Sequence, residues 1–488
     1  MAGLTEPWEI PPPGAVIKLP KEDLSGKELA KFIRDDVMPV FQTERCRLQL
    51  LELWGTGQQP TANHYKGQNK EKLVLKRFSR NPWITLMVST FAQQMIVDGF
   101  RKDGSRENEK AWDTWLANNM PAQQLTINRT TIIAGYSFVR VTQGIGADKS
   151  VQAVIRAVDP QNAFAIYTDP GDDYPRYLLE KLFDGTYRWW DSTRTVELDD
   201  ELEYVQEANH AYGVVPFVRY LNQVDAKGRC WGDVEPVVEL AARMDKTVLD
   251  RLLVQHFNSF KVRYGTGLEQ PDTEEKTVAA AKQLQHGDFL ASSNELAKFG
   301  TLDETVMDPF IAAYKSDLES FLAITQLPPD LVGQVANIAA DALEASRRGT
   351  YQKLFEKQTM FGQSHAQVLR LAALIEGRPD DANDYTARVH WQDVQIRSLA
   401  QYADAWGKIC AQLGYPKDLA WVGIPGVDQA DVALAKEGYF NDTGEHGRLN
   451  KYLRELGIKP DGAVPGQRGG TNSMQNQPKP VTSANERS

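Results

Sequence analysis

Cysteine is scarce: Cys46, Cys230 and Cys410 are the three in 488 residues, an odd number set far apart with no Cys-x-x-Cys pair. That excludes a disulfide framework and leaves no zinc-ligand spacing. Long apolar runs are missing too. None approaches the roughly 18 residues that cross a bilayer, so no membrane is expected among the partners. Nor is there a basic excess, since 55 Lys and Arg stand against 65 Asp and Glu for a formal net charge of −10. A protein that grips nucleic acid with its whole surface uses Lys and Arg to displace counterions, and this balance argues against such a grip. It still allows a protein past which DNA slides.

Catalytic signatures are absent as well. There is no Gly-x-x-x-x-Gly-Lys-Ser/Thr phosphate loop. Gly144-Ile-Gly146 and Gly265-Thr-Gly267 do not complete a dinucleotide fingerprint, and neither a Gly-x-Ser-x-Gly elbow nor a His-Glu-x-x-His occurs. Asp169, Asp172 and Asp173 lack the glycine and closing glutamate of a calcium loop, so they read as a solvated turn. His256 has no second ligand at helical spacing and reads as a core or boundary residue. The sequence therefore reads as a non-enzyme, with no catalytic residues, no metal and no cofactor. An enzyme whose site assembles from dispersed residues is the alternative that motif absence leaves open. The first residues, with Pro7, Pro11, Pro12 and Pro13, are acidic and proline-rich and do not read as a signal peptide, so the protein is expected to stay in the cytoplasm where it is made.

What is present is an α+β pattern in a chain long enough for about three domains. A helix is predicted from Ser25, with Leu29, Phe32, Ile33, Val37 and Met38 on or near one face, ended or kinked at Pro39, and a second from about Arg45 to Trp54. Asn81-Pro82 opens a helix whose apolar face runs from Trp83 to Ile96 and stops at Asp98-Gly99. Another helix spans about Ala122 to Ala134, and Tyr136 to Thr142 alternates as a strand does. Strand-like runs at 151–158, 163–167, 177–183, 187–190 and 215–220, separated by Asp-Pro and Asp-Gly turns, read as a mostly antiparallel sheet built from hairpins. A helix from about Val234 to Phe260 follows. After it comes a small mixed segment, with a strand at 261–264, a charged helix near 274–285 and a strand at 288–291.

The stretch from Asp303 to Gly377 organises the rest. Phe310, Ala313, Tyr314, Leu318, Phe321 and Leu322 recur at three- and four-residue intervals, one face of a helix. Leu327-Pro328-Pro329-Asp330-Leu331-Val332-Gly333 breaks it, because each proline lacks a backbone donor and Pro328 pushes Leu327 out of the helical region. Helical signal returns at Ala339 and runs to Ile375, about 38 residues or roughly 57 Å at 1.5 Å per residue. Gly349 and Gly362 inside it weaken the helix or mark bends. Taken alone, this is an antiparallel helix pair with a proline stop. Its acids, Asp303, Glu304, Asp308, Asp317, Glu319 and Asp330 against Lys315 alone, are either a wall that weakly repels DNA or a solubilising face. Beyond Gly377, Thr386 to Trp391 reads as a strand. Ile396, Leu399, Ala400, Ala403, Trp406, Ile409 and Cys410 give one face of a helix, and helical signal continues to about Leu456. Residues 459–488 carry almost nothing to bury.

The order of these pieces resembles a known family. A helix closing on a proline turn, a short polar loop, then Ala339-Ala340-Asp341-Ala342-Leu343-Glu344-Ala345 and a long helix ending near Leu371-Ala372-Ala373-Leu374-Ile375 is similar to the channel-loop region of phage portal proteins, in the branch common in siphophages. Ile96-Val97-Asp98-Gly99-Phe100-Arg101, with Trp115-Leu116-Ala117-Asn118-Asn119 and Ala134-Gly135-Tyr136-Ser137-Phe138-Val139, is similar in order and spacing to the wing of actinophage portal proteins. The resemblance covers roughly residues 25 to 455.

It implies a portal fold with an N-terminal arm at 1–24, a mixed α/β wing at 25–232, a stem helix at 233–260 and a small α/β clip at 261–302. A second stem helix at 303–326 would lead to a channel (tunnel) loop at 327–338 and a long kinked helix at 339–376. A wing return strand and helical crown at 377–458 and a disordered tail at 459–488 would complete the chain. The implied function is a subunit of a ring, a dodecamer, at one capsid vertex of the virion, through which double-stranded DNA is packaged and ejected. The implied partners are other copies, that DNA, the terminase large subunit, a head-tail adaptor, and capsid and scaffolding proteins, with assembly in the host cytoplasm and ATP hydrolysis left to the terminase. Pro328, Pro329, Asp330, Gln334, Val335 and Asn337 would line the channel loop. Arg347 and Arg348 would touch phosphates or pair with carboxylates of a neighbouring subunit, and Gly349 and Gly362 would be helix kinks. Another ring-forming head-tail connector is the alternative, although a shorter chain would be expected for it.

Overall fold

The computed structural model describes residues 24–60, 70–102, 106–146, 151–258, 263–266, 298–301, 305–332, 340–392, 399–414 and 434, and the structural statements below concern these. The chain divides into two units, residues 1–396 and 397–488. In order, the first holds α1 (Gly26–Phe32), a π-helical turn (Ile33–Val37), α2 (Met38–Gly55), α3 (Lys70–Phe78), α4 (Trp83–Gln93), β1 (Val97–Lys102), β2 (Arg106–Glu107), α5 (Glu109–Ala117), α6 (Met120–Ala134), β3 (Tyr136–Ile145) and β4 (Val151–Val158). Then follow β5 (Ala163–Ile166), β6 (Tyr177–Lys181), β7 (Tyr187–Trp190), β8 (Arg194–Leu198), β9 (Tyr204–Asn209), β10 (Phe217–Leu221), β11 (Gln223–Val224), β12 (Cys230–Trp231) and α7 (Val238–Asn258). The remainder is β13 (Arg263–Thr266), β14 (Lys298–Thr301), α8 (Asp308–Thr325), α9 (Ala340–Ile375), α10 (Pro379–Ala382) and β15 (Arg388–Trp391). The second unit holds α11 (Leu399–Leu413).

The fold class is α+β, with every strand pairing antiparallel. The hairpins predicted over 150–220 form two sheets instead of one, β10-β3-β4 and the five-stranded β5-β6-β7-β8-β9. The sequence reading missed β8 and β9. The edge strand β9 has Val205 at 56% exposure and no buried face, so no alternation marks it.

Two helix boundaries differ from expectation, one for a local reason and one because of a distant partner strand. Pro39 does not end the first helix, because the π-helical turn before it, in which the Met38 amide bonds back to the Ile33 carbonyl, is wider and relieves the clash of the proline ring with the preceding turn. The helix that opens after Pro82 stops at Gln93 rather than Asp98. Residues 97–102 are recruited as β1, paired with β15 so that Phe100 faces Val389. Side chains of α6 take up backbone groups at the break: Gln124 accepts from the Val97 amide at 2.9 Å and Asn128 donates to the Met95 carbonyl at 2.9 Å.

Helix α9 joins two cores. Its middle lays Leu354 and Phe361 among Met87 and Phe91 of α4, Met244 of α7 and Phe321 of α8. Its second half lays Val368, Leu369 and Ala372 among Val139, Ile155 and Val218 of the three-stranded sheet. Each fully buried side chain of this size contributes roughly 1.5–3 kcal/mol, so packing in both cores fixes the helix against the body. In the second core His365 is fully buried among the rings of Trp115, Tyr220 and Trp391, with its Nδ1 2.8 Å from the Tyr220 hydroxyl. A third core packs α1, the π-helical turn and α2 on the five-stranded sheet through Leu29, Ile33, Val37 and Phe41.

Several expectations fall outside the described residues: the helix near 274–285, the strand at 288–291, the loop residues Gln334, Val335 and Asn337, most of the segment beyond residue 414, and the terminal stretches at 1–23 and 459–488. What is described of 261–302 is the ribbon β13–β14, whose second strand was not predicted.

Candidate functional site at the connection between α8 and α9

The proline-rich connection is where the sequence placed its candidates. Helix α8 ends before either proline acts. Gln326 adopts the left-handed conformation (φ 58°), its amide bonding to the Ala323 carbonyl at 3.4 Å and the Leu327 amide to the Leu322 carbonyl at 3.1 Å. This is a Schellman stop, accompanied as usual by an apolar pair, since Leu322 and Leu327 are buried in the same cluster. Pro328 is buried and Pro329 exposed, and Pro329–Val332 form a 3-10 turn that presents Asp330 sideways.

From α9 a row of polar side chains meets this end. Arg347 pairs with Asp330, and that hydrogen bond holds its guanidinium above its already high pKa. The Thr350 hydroxyl donates to the Gln326 carbonyl at 2.5 Å, and Lys353 Nζ donates to the Thr325 carbonyl at 3.3 Å. Lys353 and Lys357 both reach Asp233, at 3.1 and 2.9 Å, and Lys357 also donates to Asn222 Oδ1 at 2.5 Å. Positions 347, 350, 353 and 357 recur at helical spacing and form one stripe.

Asp233 is brought there by a close approach of backbones. A Cβ on Gly135 would lie 2.6 Å from the Trp231 carbonyl carbon, and one on Gly232 would lie 2.3 Å from the Ile133 oxygen. Only glycines let the β11–β12 ribbon rest on the end of α6. The Asp233 amide then bonds to the Ile132 carbonyl at 2.9 Å. Side-chain exposure is 1% for Asp233, 2% for Lys357 and 12% for Lys353. Burial opposes ionisation of Asp233, but the ammonium groups of Lys357 and Lys353 and the Asn222 amide outweigh it and hold the carboxyl below its usual range. Lys357 is pushed down by burial, against the pull of Asp233. The Phe91 ring lies 5.1 Å from Lys353 Nζ and 5.9 Å from Lys357 Nζ.

Of the residues singled out by sequence, Asp330 and Arg347 are brought together, so the carboxylate that Arg347 meets belongs to its own chain. Arg348 is exposed. Gly349 has open space around it, whereas a Cβ on Gly362 would come within 3.3 Å of Val389 in β15; α9 is α-helical through both. Two acids of the stretch are countered, Asp317 by Arg243 at 2.7 Å and Asp330 by Arg347, while Asp308 and Glu319 are exposed. Asn222, Asp233, Lys353 and Lys357 were missed. Their signal was there in α9, two lysines four residues apart on the face that carries Leu354 and Phe361.

Among the described residues no group of three or more His, Cys, Asp or Glu side chains is placed to hold a metal ion, and no helix is long and apolar enough to cross a membrane. What the arrangement can do is hold a connection at a set position between two helices. Residues 50–438 match the sequence model of a class of virion proteins, the phage portal proteins. The chain belongs to the SPP1 Gp6-like family of that class. It is thus a portal subunit, a structural component of the capsid vertex that forms a ring oligomer in the virion and serves DNA packaging. No curated protein matches the sequence significantly. Among solved structures the chain is similar to one in the virion of a native gene transfer agent particle, at 13% identity over 77% of this chain and 96% of the other, with a TM-score of 0.42. It is also similar to one in the neck of that particle computed with C12 symmetry, at 12% identity over 73% and 94%, again with a TM-score of 0.42.

Proposed function

We propose that twelve copies form the ring and that the α8–α9 connection, from Pro328 through Asn337, lines its narrowest point. Residues 25–232 would form the wing, α7 and α8 the stem, 261–302 the clip, and 377–458 the return strand and crown. Double-stranded DNA passes inward and outward along the axis, past Pro329, Asp330, Gln334, Val335 and Asn337. The terminase large subunit docks during packaging and supplies all ATP hydrolysis, a head-tail adaptor binds afterwards, and assembly with capsid and scaffolding proteins takes place in the host cytoplasm. The observation that carries this reading is the stopped helix α8, whose end is held by Arg347, Thr350 and Lys353 of α9, so that the intervening residues leave from a fixed base.

The electrostatics suit passage. Duplex DNA carries about one negative charge per 1.7 Å of axis, so a lysine-lined wall would retain it, whereas exposed Asp308 and Glu319 repel it weakly. Gly349, open on its outer side, gives α9 a place to bend, and Gly362 a second. Arg348, exposed beside the stripe, is the residue free to meet a phosphate or a neighbouring subunit.

Negative-stain microscopy of the purified protein tests the assembly, and incubation with nucleotide and DNA tests the division of labour. Rings with a central hole and no nucleotide turnover are expected. Monodisperse monomers or dimers under every condition that supports assembly of the capsid would overturn the reading, as would turnover by the ring alone.

A further inference from the structure

The two lysines that share Asp233 are not equivalent. Lys357 is sealed in, its side chain 2% exposed and bound to Asp233 at 2.9 Å and Asn222 at 2.5 Å. Lys353 stands one turn closer to the connection, is more exposed, and divides its ammonium between Asp233 at 3.1 Å and the Thr325 carbonyl at 3.3 Å. Removing Lys357 would take away the ammonium that hydrogen-bonds both the Asp233 carboxylate and Asn222 Oδ1 in the core. Withdrawing Lys353 leaves both of those bonds, and the Asn222 amide on Asp233, in place. The cost of opening the outer contact is therefore small and that of the inner contact large.

We infer that Lys353 is a latch that ties the end of α8 to the head of α7 and releases without disturbing the buried Asp233–Lys357–Asn222 lock beneath it. Closed, the latch joins three elements at one ammonium group: the last turn of α8 through Thr325, the segment leading into α7 through Asp233, and α9 itself. Open, it frees the α8 terminus and the 3-10 turn at Pro329–Val332 while α7 and α9 stay locked together. Thr350 and Arg347, farther out along the same stripe, hold Gln326 and Asp330 by single contacts and follow when the latch opens. The latch is a property of the subunit; its link to DNA movement rests on the reading of the connection as the channel constriction.

Hydrogen exchange and thermal melting of the full-length protein carrying Lys353→Met, Lys353→Arg or Lys357→Met test this. Lys353→Met is expected to fold, to raise amide exchange over residues 325–332 at least tenfold and to leave exchange over 233–238 within twofold; Lys353→Arg restores protection. Lys357→Met is expected to lower the melting temperature far more than Lys353→Met, or to prevent folding. The latch is overturned if Lys353→Met leaves 325–332 within twofold of the parent, if it raises exchange over 233–238 equally, or if it fails to fold. If exchange behaves as expected but Lys353→Met particles package DNA at the parental rate, the latch stands and the placement of the constriction at this connection fails.

Discussion

Asp330 and Arg347 close the connection between α8 and α9 with an ion pair inside one subunit. Because the Arg347 side chain is 34% exposed, water and salt screen the attraction, and its net worth is about 1 kcal/mol or less. Asp330→Asn should lower stability by no more than that in urea denaturation. In 1 M salt the difference from the parent should vanish; a loss above about 2 kcal/mol that persists in high salt would mean that Asp330 carries a further contact.

Gln326 occupies a left-handed position that favours glycine. Its side chain makes no cap, while its backbone carbonyl, which a glycine keeps, receives Thr350. Gln326→Gly is therefore expected to stabilise the subunit by about 0.5–1 kcal/mol, read as a rise in melting temperature. A fall would show that the side chain, not the backbone geometry, is what the position requires.

Gly349 and Gly362 should respond differently to alanine. At Gly349 an added methyl meets nothing within 4 Å, so the helix-propensity gain of about 1 kcal/mol should appear in full. At Gly362 the methyl meets Val389 at 3.3 Å and the Trp391 ring nitrogen at 3.4 Å, and the gain should be offset or reversed. Calorimetry of the two variants gives the comparison. Packaging by Gly349→Ala then reports on bending; unchanged packaging by both variants removes bending from the mechanism.

His365 should set part of the acid limit. Burial pushes its pKa down from the ordinary 6.5 to about 3, so the folded subunit keeps the imidazole neutral. Between those values the unfolded chain binds a proton that the folded chain refuses. Stability is thus intact above pH 6.5 and falls as pH drops toward 3, by on the order of 5 kcal/mol across the window. His365→Gln, which cannot titrate, should flatten that slope in denaturation curves taken from pH 7 to pH 4. An unchanged slope would place the acid sensitivity elsewhere.

Much of the fold was legible because its elements follow local rules. The apolar period of α8, the stop at Leu327-Pro328 and the long run of α9 were read within a few residues, as were β3 and β4. What sequence did not reveal depended partly on partners far away in the chain and partly on local backbone geometry. Residues 97–102 look like the tail of a helix until β15 pairs with them, and Pro39 looks like a terminus until a π-helical turn absorbs it. The candidate site divides in the same way. Asp330 and Arg347 stood out as charges beside a breaker. Asp233 and Lys357 did not, because a buried ion pair made across a ribbon, two helices and two tight glycine contacts leaves no spacing to count.

The pairing of β1 with β15 also bears on how the subunit is made. Asp98 and His390, side chains in contact across that pairing, stand 292 positions apart. At about 5–20 residues per second, on the order of 15–60 s of synthesis separates them. During that interval β1 has only the short β2 beside it, and its other edge is an open template for any extended peptide nearby. The body is sealed only when the stretch after α9 leaves the ribosome, so a nascent chain can offer neighbours a finished surface only after its α8–α9 connection has already been made.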